Sequence, residues 1–486
     1  MYPSVASLIC ACGIAGLFYL NIESSVRTSK ALWLPVIYLS LVGSRPASVW
    51  LGVTPPSYAY NPQLDGSPLD AFVFGLLLAA ALVVLIRRGK YPLILLTANW
   101  LILGYFAYCL VSIGWTYHPD VAFKRWIKAI GDLAMILVVV TDGQPVAALK
   151  RLISRVGLVL FPMSVLFIKY YPDGHSYAPD GTQMNTGVTL NKNSLGLIVL
   201  VISLGALWNV RSLLVHKDGA NRGRRLIAQA TLLAFGVALL WMADCSTCKA
   251  CFALGAGLIL LTNLRPIRSR PARVHALCFT ILLVGGGTLF LGGEAQVVHA
   301  LGRQTSLSGR TEIWEAVIGA VPNPMVGAGF ENFWIGPDAK KVWSGLLGWW
   351  NPEGMINEAH NGYIEVYANL GWIGVGLIAL VLASGYRRAV IVFQLDPELG
   401  SLFLAYVATE VIYGITEASF RIMTLSWIFF LLAIVGSTGV SKGLIYGKKR
   451  KIYALRRGAV SKMNGSDELI PESESIYATQ NGWNSI

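Results

Sequence analysis

The chain has 486 residues, of which 55% are hydrophobic and only 13% charged. Ordinary soluble domains carry about 25% charged residues, so a water-soluble fold is excluded as the main architecture. The formal net charge of +13 would suit a nucleic-acid partner, but the basic residues fall in short runs between apolar segments rather than on one soluble surface. Membrane topology accounts for them better, and no nucleic acid is expected.

Met1 to Ser7 lacks a basic leader, and the first apolar run leads directly into a multi-span pattern, so no cleavable signal peptide is expected. Apolar stretches at 3–21, 31–51, 69–86, 91–113, 126–141, 152–170, 193–213, 226–243, 247–263, 276–293, 362–383, 400–418 and 422–438 read as membrane helices, a hydrocarbon core requiring ~20 apolar residues. The expected fold is an all-α polytopic membrane protein of about 12–13 transmembrane helices with one large outer loop containing an amphipathic helix. Its expected parts are an N-terminal helix bundle at 1–293, a catalytic loop at 294–361, C-terminal helices at 362–440 and a disordered tail at 441–486.

The tail carries Lys448, Lys449, Arg450, Lys451, Arg456 and Arg457, which the positive-inside rule places in the cytoplasm. Alternation then puts Arg87-Arg88, Lys150-Arg151, Arg222 to Arg225 and Arg387-Arg388 on the same side. Several basic residues run against that bias. Lys128, with Lys124 and Arg125, begins a helix at its outer end; Lys192 begins another; Lys249 and Arg421 fall within or at the edge of apolar runs, where charge is costly and often functional. With Arg303 and Arg310 in the large loop, they suggest an outward-facing anion site.

Within that loop, Arg310 to Val321 places Ile313, Trp314, Val317 and Val321 at helical spacing, so it should lie as an amphipathic helix on the membrane surface. Pro322, Pro324, Gly327 and Gly329 end it. Glu410, Glu417 and Arg421 form an i, i+7, i+11 series; Glu417 and Arg421 meet if helix continues there. Glu365 and Asp132 read as structural partners. Cys245, Cys248 and Cys251 form C-x2-C-x2-C, but no fourth ligand is nearby and helical spacing spreads them around an apolar helix, so neither a metal nor a cofactor is expected.

Two stretches, SGRTEIWEAVIGAVPNPMVGAGFENF (Ser308 to Phe333) and NEAHNGYIEVYANLGWIGVG (Asn357 to Gly376), resemble the signature of the O-antigen ligase family, which includes O-antigen and exopolysaccharide polymerases. TGVTLNKNSLG (Thr186 to Gly196) resembles the family segment ending in Lys-Asn, here Lys192-Asn193, and WTYHPDVAFKRW (Trp115 to Trp126) its earlier outer loop. Where many members carry Ser-Arg at a helix start, this chain has Asp244 to Lys249.

The resemblance implies transfer of a glycan from a polyprenyl (undecaprenyl) diphosphate to a sugar hydroxyl, on a growing glycan or a lipid A core. It places the protein, among membrane lipids, in a bacterial inner membrane with its site facing the periplasm. His360 matches the family's catalytic histidine; an imidazole of ordinary pKa about 6.5 can take the hydroxyl proton. Arg310 would act on the leaving diphosphate, with Arg125, Arg303, Lys128, Lys192 and Lys249 binding its oxygens. Asn361, Asn193, Glu417 and Arg421 are expected in supporting roles. A base opposite the leaving group would invert the anomeric centre. The competing class is a lipid-linked oligosaccharide flippase or other transporter, which would place charges near the bilayer midplane.

Overall fold

Proline at the first helical turn sacrifices no hydrogen bond and arrives with a helical φ. Pro3, Pro68, Pro119, Pro145 and Pro397 begin helices in this way. The computed structural model describes residues 2–23, 26–53, 66–178, 181–216, 221–290, 308–346 and 356–442. Among them, seven helices are long and apolar enough to cross a membrane: Pro3–Leu20, Pro68–Arg87, Pro145–Tyr170, Lys192–Val215, Arg222–Ala243, Gly362–Leu395 and Pro397–Thr416. Shorter apolar helices are Lys30–Val42, Ser246–Leu261, Pro271–Gly287 and Leu425–Ser441. The described strands are a two-stranded antiparallel hairpin, His175–Tyr177 with Gln183–Asn185.

Burial grades these helices from centre to rim. Pro397–Thr416 has 89% of its most apolar window buried, whereas Pro3–Leu20 has 6%. The outer helices therefore present Leu8, Phe72, Leu76 and Ile86 away from the protein, as lipid-facing helices do.

Two expected spans differ. The run 91–113 is broken at Asn99 into Tyr91–Ala98 and a second piece from Trp100, bent by 82°. Asn99 caps back onto the Leu95 carbonyl, while Thr438 and Arg388 donate to its Oδ1 and Arg388 also reaches the Ala98 carbonyl. Those donors satisfy the backbone and side-chain groups that a break exposes. The run 31–51 stops as helix at Val42, and Ala47–Trp50 forms a separate turn after Pro46.

The Gly362–Leu395 helix is also interrupted, at Gly371, where φ is +62°. The carbonyls of Ala368 and Asn369 receive the amides of Ala328 and Gly329, and the amides of Trp372 and Ile373 donate to Pro324 and Met325. Pro-Asn-Pro-Met-Val-Gly-Ala-Gly is thus a clasp across the break. A Cβ at Gly371 would stand 2.2 Å from the Met325 carbonyl carbon, and one at Gly327, also at positive φ, 2.5 Å from that of Asn369; only glycine fits either position.

The Ser308–Ala320 helix is amphipathic as expected, but its apolar face is turned into protein. Val317 and Ala320 pack with Phe333, Trp334, Ala339, Val342 and Ala359 in a local core, and Trp314 donates its indole N–H to the Ala359 carbonyl at 2.9 Å. The segment that follows supplies enough tryptophan and alanine surface to bury that stripe without a membrane.

Candidate active site

A carboxylate or guanidinium near a membrane is stable only if it is paired, and the pairs here come from turns joining the helices. Glu417 follows the last residue of Pro397–Thr416 in extended conformation and is buried. Arg310, on Ser308–Ala320, donates to the Thr416 carbonyl at 2.6 Å and pairs with Glu417 at 3.5 Å. Asn193, at the start of Lys192–Val215, donates to the other Glu417 oxygen at 3.4 Å. His360 Nδ1 lies 3.0 Å from Glu358 and 3.7 Å from Glu417. Arg421 pairs with Glu358 at 3.4 Å and Glu331 at 3.6 Å, and Arg125 donates to the Glu331 carbonyl. Three arginines therefore alternate with three glutamates, with the imidazole between two of them.

The backbone around this cluster is strained. Among the described non-glycine residues, Asn221, Asp244, Glu331, His360, Phe420 and Met423 have positive φ; Glu331 and His360 belong to the cluster, and Phe420 and Met423 to the turn carrying Arg421. Such conformations cost on the order of 1–3 kcal/mol each and persist where surroundings over-determine them. Buried carboxylates on the helices below do so. Glu365 accepts the Ala359 amide at 2.9 Å and the Trp334 indole at 2.7 Å. Glu410 accepts the Phe420 amide at 3.3 Å. Asp132 accepts the Met423 amide at 2.9 Å and the Tyr38 hydroxyl at 2.8 Å. Each pins a left-handed turn, or the residue just before one.

Burial opposes charge on His360, but the neighbouring carboxylates of Glu417 and Glu358 outweigh it and hold the pKa above its ordinary value. Arg421 is likewise raised, burial being outweighed by Glu331, Glu365 and Glu358. Glu358, His360 and Glu417 each offer one ligand atom within 4.8 Å of the others, a donor set that could hold a divalent cation. The same carboxylates face Arg310 and Arg421, so a cation would have to share them with two guanidiniums.

The structure brings together Arg310, His360, Glu417, Asn193, Arg421 and Arg125. Lys128 follows Arg125 by one turn of Pro119–Val140, and Lys192 precedes Asn193. Asn361 caps the Gly362–Leu395 helix, accepting the amides of Tyr363 and Ile364. Lys249 pairs instead with Asp244 at 2.8 Å and lies over the Trp241 ring. Arg303 lies outside the described residues. Glu417 and Arg421 do not form the expected helical pair, because the helix ends at Thr416 and Arg421 turns to Glu358 and Glu331. Those two glutamates were missed by sequence reasoning; their only signal was adjacency to the His-Asn and Gly-x-Gly segments.

Residues 230–379 match the family model described as O-antigen ligase. Over that stretch the chain is similar to the O-antigen ligase family. The matched range contains Arg310, Glu331, Glu358, His360 and Glu365, while Arg125, Asn193, Glu417 and Arg421 complete the cluster from outside it. Over 369 residues the chain is 26% identical to the exopolysaccharide production protein ExoQ of Rhizobium meliloti (strain 1021), covering 71% of this chain and 77% of that protein. The family and this relative point to a membrane protein of O-antigen or exopolysaccharide assembly.

Proposed function

We propose that the protein is a membrane glycosyltransferase that moves a glycan from undecaprenyl diphosphate to a sugar hydroxyl at the periplasmic face of the inner membrane. The observation that carries this reading is the position of His360, Nδ1 between Glu358 and Glu417, with Arg310 on the far oxygen of Glu417. With its Nδ1 proton facing the carboxylates, a neutral imidazole leaves the Nε2 lone pair for an incoming hydroxyl. The hydroxyl oxygen bonds to the anomeric carbon, its proton passes to Nε2, and the anomeric carbon–oxygen bond breaks with its electron pair leaving on the diphosphate.

Charge growing on that leaving group is met by Arg310 and by the outward cations Arg125, Lys128 and Lys192, in a setting that is partly dry. Attack opposite the leaving group inverts the centre. The exopolysaccharide relative favours polymerisation, with the next lipid-linked repeat as acceptor, over ligation to a lipid A core. A flippase would carry its substrate charges on helices at mid-depth; here the buried carboxylates on helices are engaged by loop amides, which favours the enzyme.

The test is transfer from a synthetic polyprenyl-diphosphate glycan by purified protein, with candidate acceptors and a chelator. Transfer should persist under chelation and disappear in folded His360→Ala and Arg310→Ala. Full activity in His360→Ala would remove the base from the mechanism, and loss under chelation would make the Glu358, His360 and Glu417 group a metal site.

A further inference from the structure

Away from the charge cluster, the Ser246–Leu261 helix begins with cysteines. Cys245 is its N-cap, and its sulfur accepts the Cys248 amide at 3.4 Å. The Cys245 thiol in turn donates to the Cys248 sulfur, Sγ to Sγ 2.8 Å, and both side chains are buried. We propose that Cys245 and Cys248 are a disulfide-forming pair, a covalent link across the first turn of this helix.

Three observations support the pairing. The C-x-x-C spacing sets an N-cap sulfur against the third helical residue, and closure to the ~2.05 Å of a disulfide needs only a small movement. The neighbouring helix confines the pair: a Cβ on Gly196 would stand 2.8 Å from Cys245 Cβ and 2.9 Å from Cys248 Sγ, so no side chain intervenes. The Cys245 thiol lies below its ordinary pKa because of its hydrogen bond with Cys248, although burial opposes the shift; the thiolate is the attacking species in exchange.

The pair lies at the same end as His360. Thr247, between the two cysteines, is hydrogen-bonded to Thr416 at 3.0 Å, whose carbonyl receives Arg310. If that end faces the oxidising compartment, as proposed above, a disulfide would persist there. Two thiols and one exchange-active protein disulfide give the Cys245–Cys248 disulfide and two thiols on the donor, balancing atoms and electrons. Because both sulfurs are buried in the fold, exchange would precede docking of this turn. The inference rests on the proposed orientation and on nothing in the transfer chemistry.

The experiment is thiol mapping of the full-length protein in its own membrane: acid quench, denaturation, alkylation without reductant, proteolysis and mass spectrometry. Cleavage after Lys249 separates the pair from Cys251. The expected peptide carries no alkyl group on Cys245 or Cys248 and is two hydrogens lighter than its reduced form, while Cys109, Cys251 and Cys278 are alkylated. In Cys245→Ser, Cys248 should become alkylated. Full alkylation of both cysteines without reductant, or a link from Cys248 to Cys251, would overturn the proposal.

Discussion

Both ends of the Lys192–Val215 helix meet clusters of cations and carboxylates, and the two clusters are built differently. Near Asn209, about 24 Å along the helix from Asn193, a cleft is lined by Glu23, Lys150, Arg151, Asn209, Arg225 and Gln229. There Arg225 pairs with Glu23 at 2.6 Å, Arg151 donates to the carbonyls of Glu23 and Val26, and Gln229 bridges Asn21 and Ser154. Most of these groups stand on regular helix ends and close onto one another. At the Asn193 end Glu331, His360 and the turn carrying Arg421 are strained, and the charges enclose a titratable imidazole. Charge near a membrane surface therefore marks topology as readily as chemistry; strained backbone around a histidine separates the two.

The largest expected effect tests that separation directly. His360→Ala should lower the transfer rate by about 10²–10⁴-fold, the usual contribution of a positioned acid–base group. Arg225→Gln, measured in the same assay, should leave the rate within a few-fold of wild type while lowering the unfolding temperature. Equal losses of rate would erase the distinction between the two ends.

Next come the groups that tune the imidazole. Because His360 is raised above its ordinary value, its neutral fraction, and with it kcat/KM, should climb with pH through a midpoint above about 6.5. Glu358→Gln or Glu417→Gln should move that ascending limb to lower pH; an unmoved limb would remove these carboxylates from the base. The same shift means that the ion-pair contribution of His360 to stability is present at pH below its unfolded value and fades as pH rises through its folded one.

Backbone geometry gives the third test. Gly371→Ala meets the Met325 backbone at positive φ and should cost at least about 1–3 kcal/mol of stability, read by thermal unfolding in detergent. The smallest and most discriminating effect concerns the pinning carboxylates. Both partners of Glu365, an indole N–H and an amide N–H, are obligate donors, so Glu365→Gln sets an NH2 against a donor and should cost about 1–3 kcal/mol. Asp132→Asn can keep the Met423 amide on Oδ1 while its NH2 donates to the Tyr38 hydroxyl, which can reverse its role, so it should cost less. A reversed order of stabilities would overturn this account of the pins.

Much of the fold was legible because apolar runs mark helices plainly. The break at Asn99 was not, since the apolar run continues on both sides and the partners that hold it open, Arg388 and Thr438, are distant in sequence. The Pro119–Val140 helix starts before its apolar part because Pro119 begins it and Arg125 is received by the Glu331 carbonyl. In the site, His360, Arg310 and Asn193 were marked by the stretches that resemble the family, and Glu417 by its spacing from Arg421. Glu331 and Glu358 resemble any solvated loop glutamate until the chain returns Arg421 to them. Lys249 looked equivalent to the other outward cations, but its local partner Asp244 precedes it by five residues, across a left-handed helix cap.

The clasp between Pro324–Gly329 and the break at Gly371 has a further consequence. It fastens the chain on either side of residues 330–367 to a single helix, so that stretch is closed at its base. Segments exchanged between Pro337 and Ile356 would enter a frame whose closure they do not determine, provided they keep the local core around Phe333 and Trp334. A fold built this way can change its exposed loop surface while the imidazole stays where the helix below has set it.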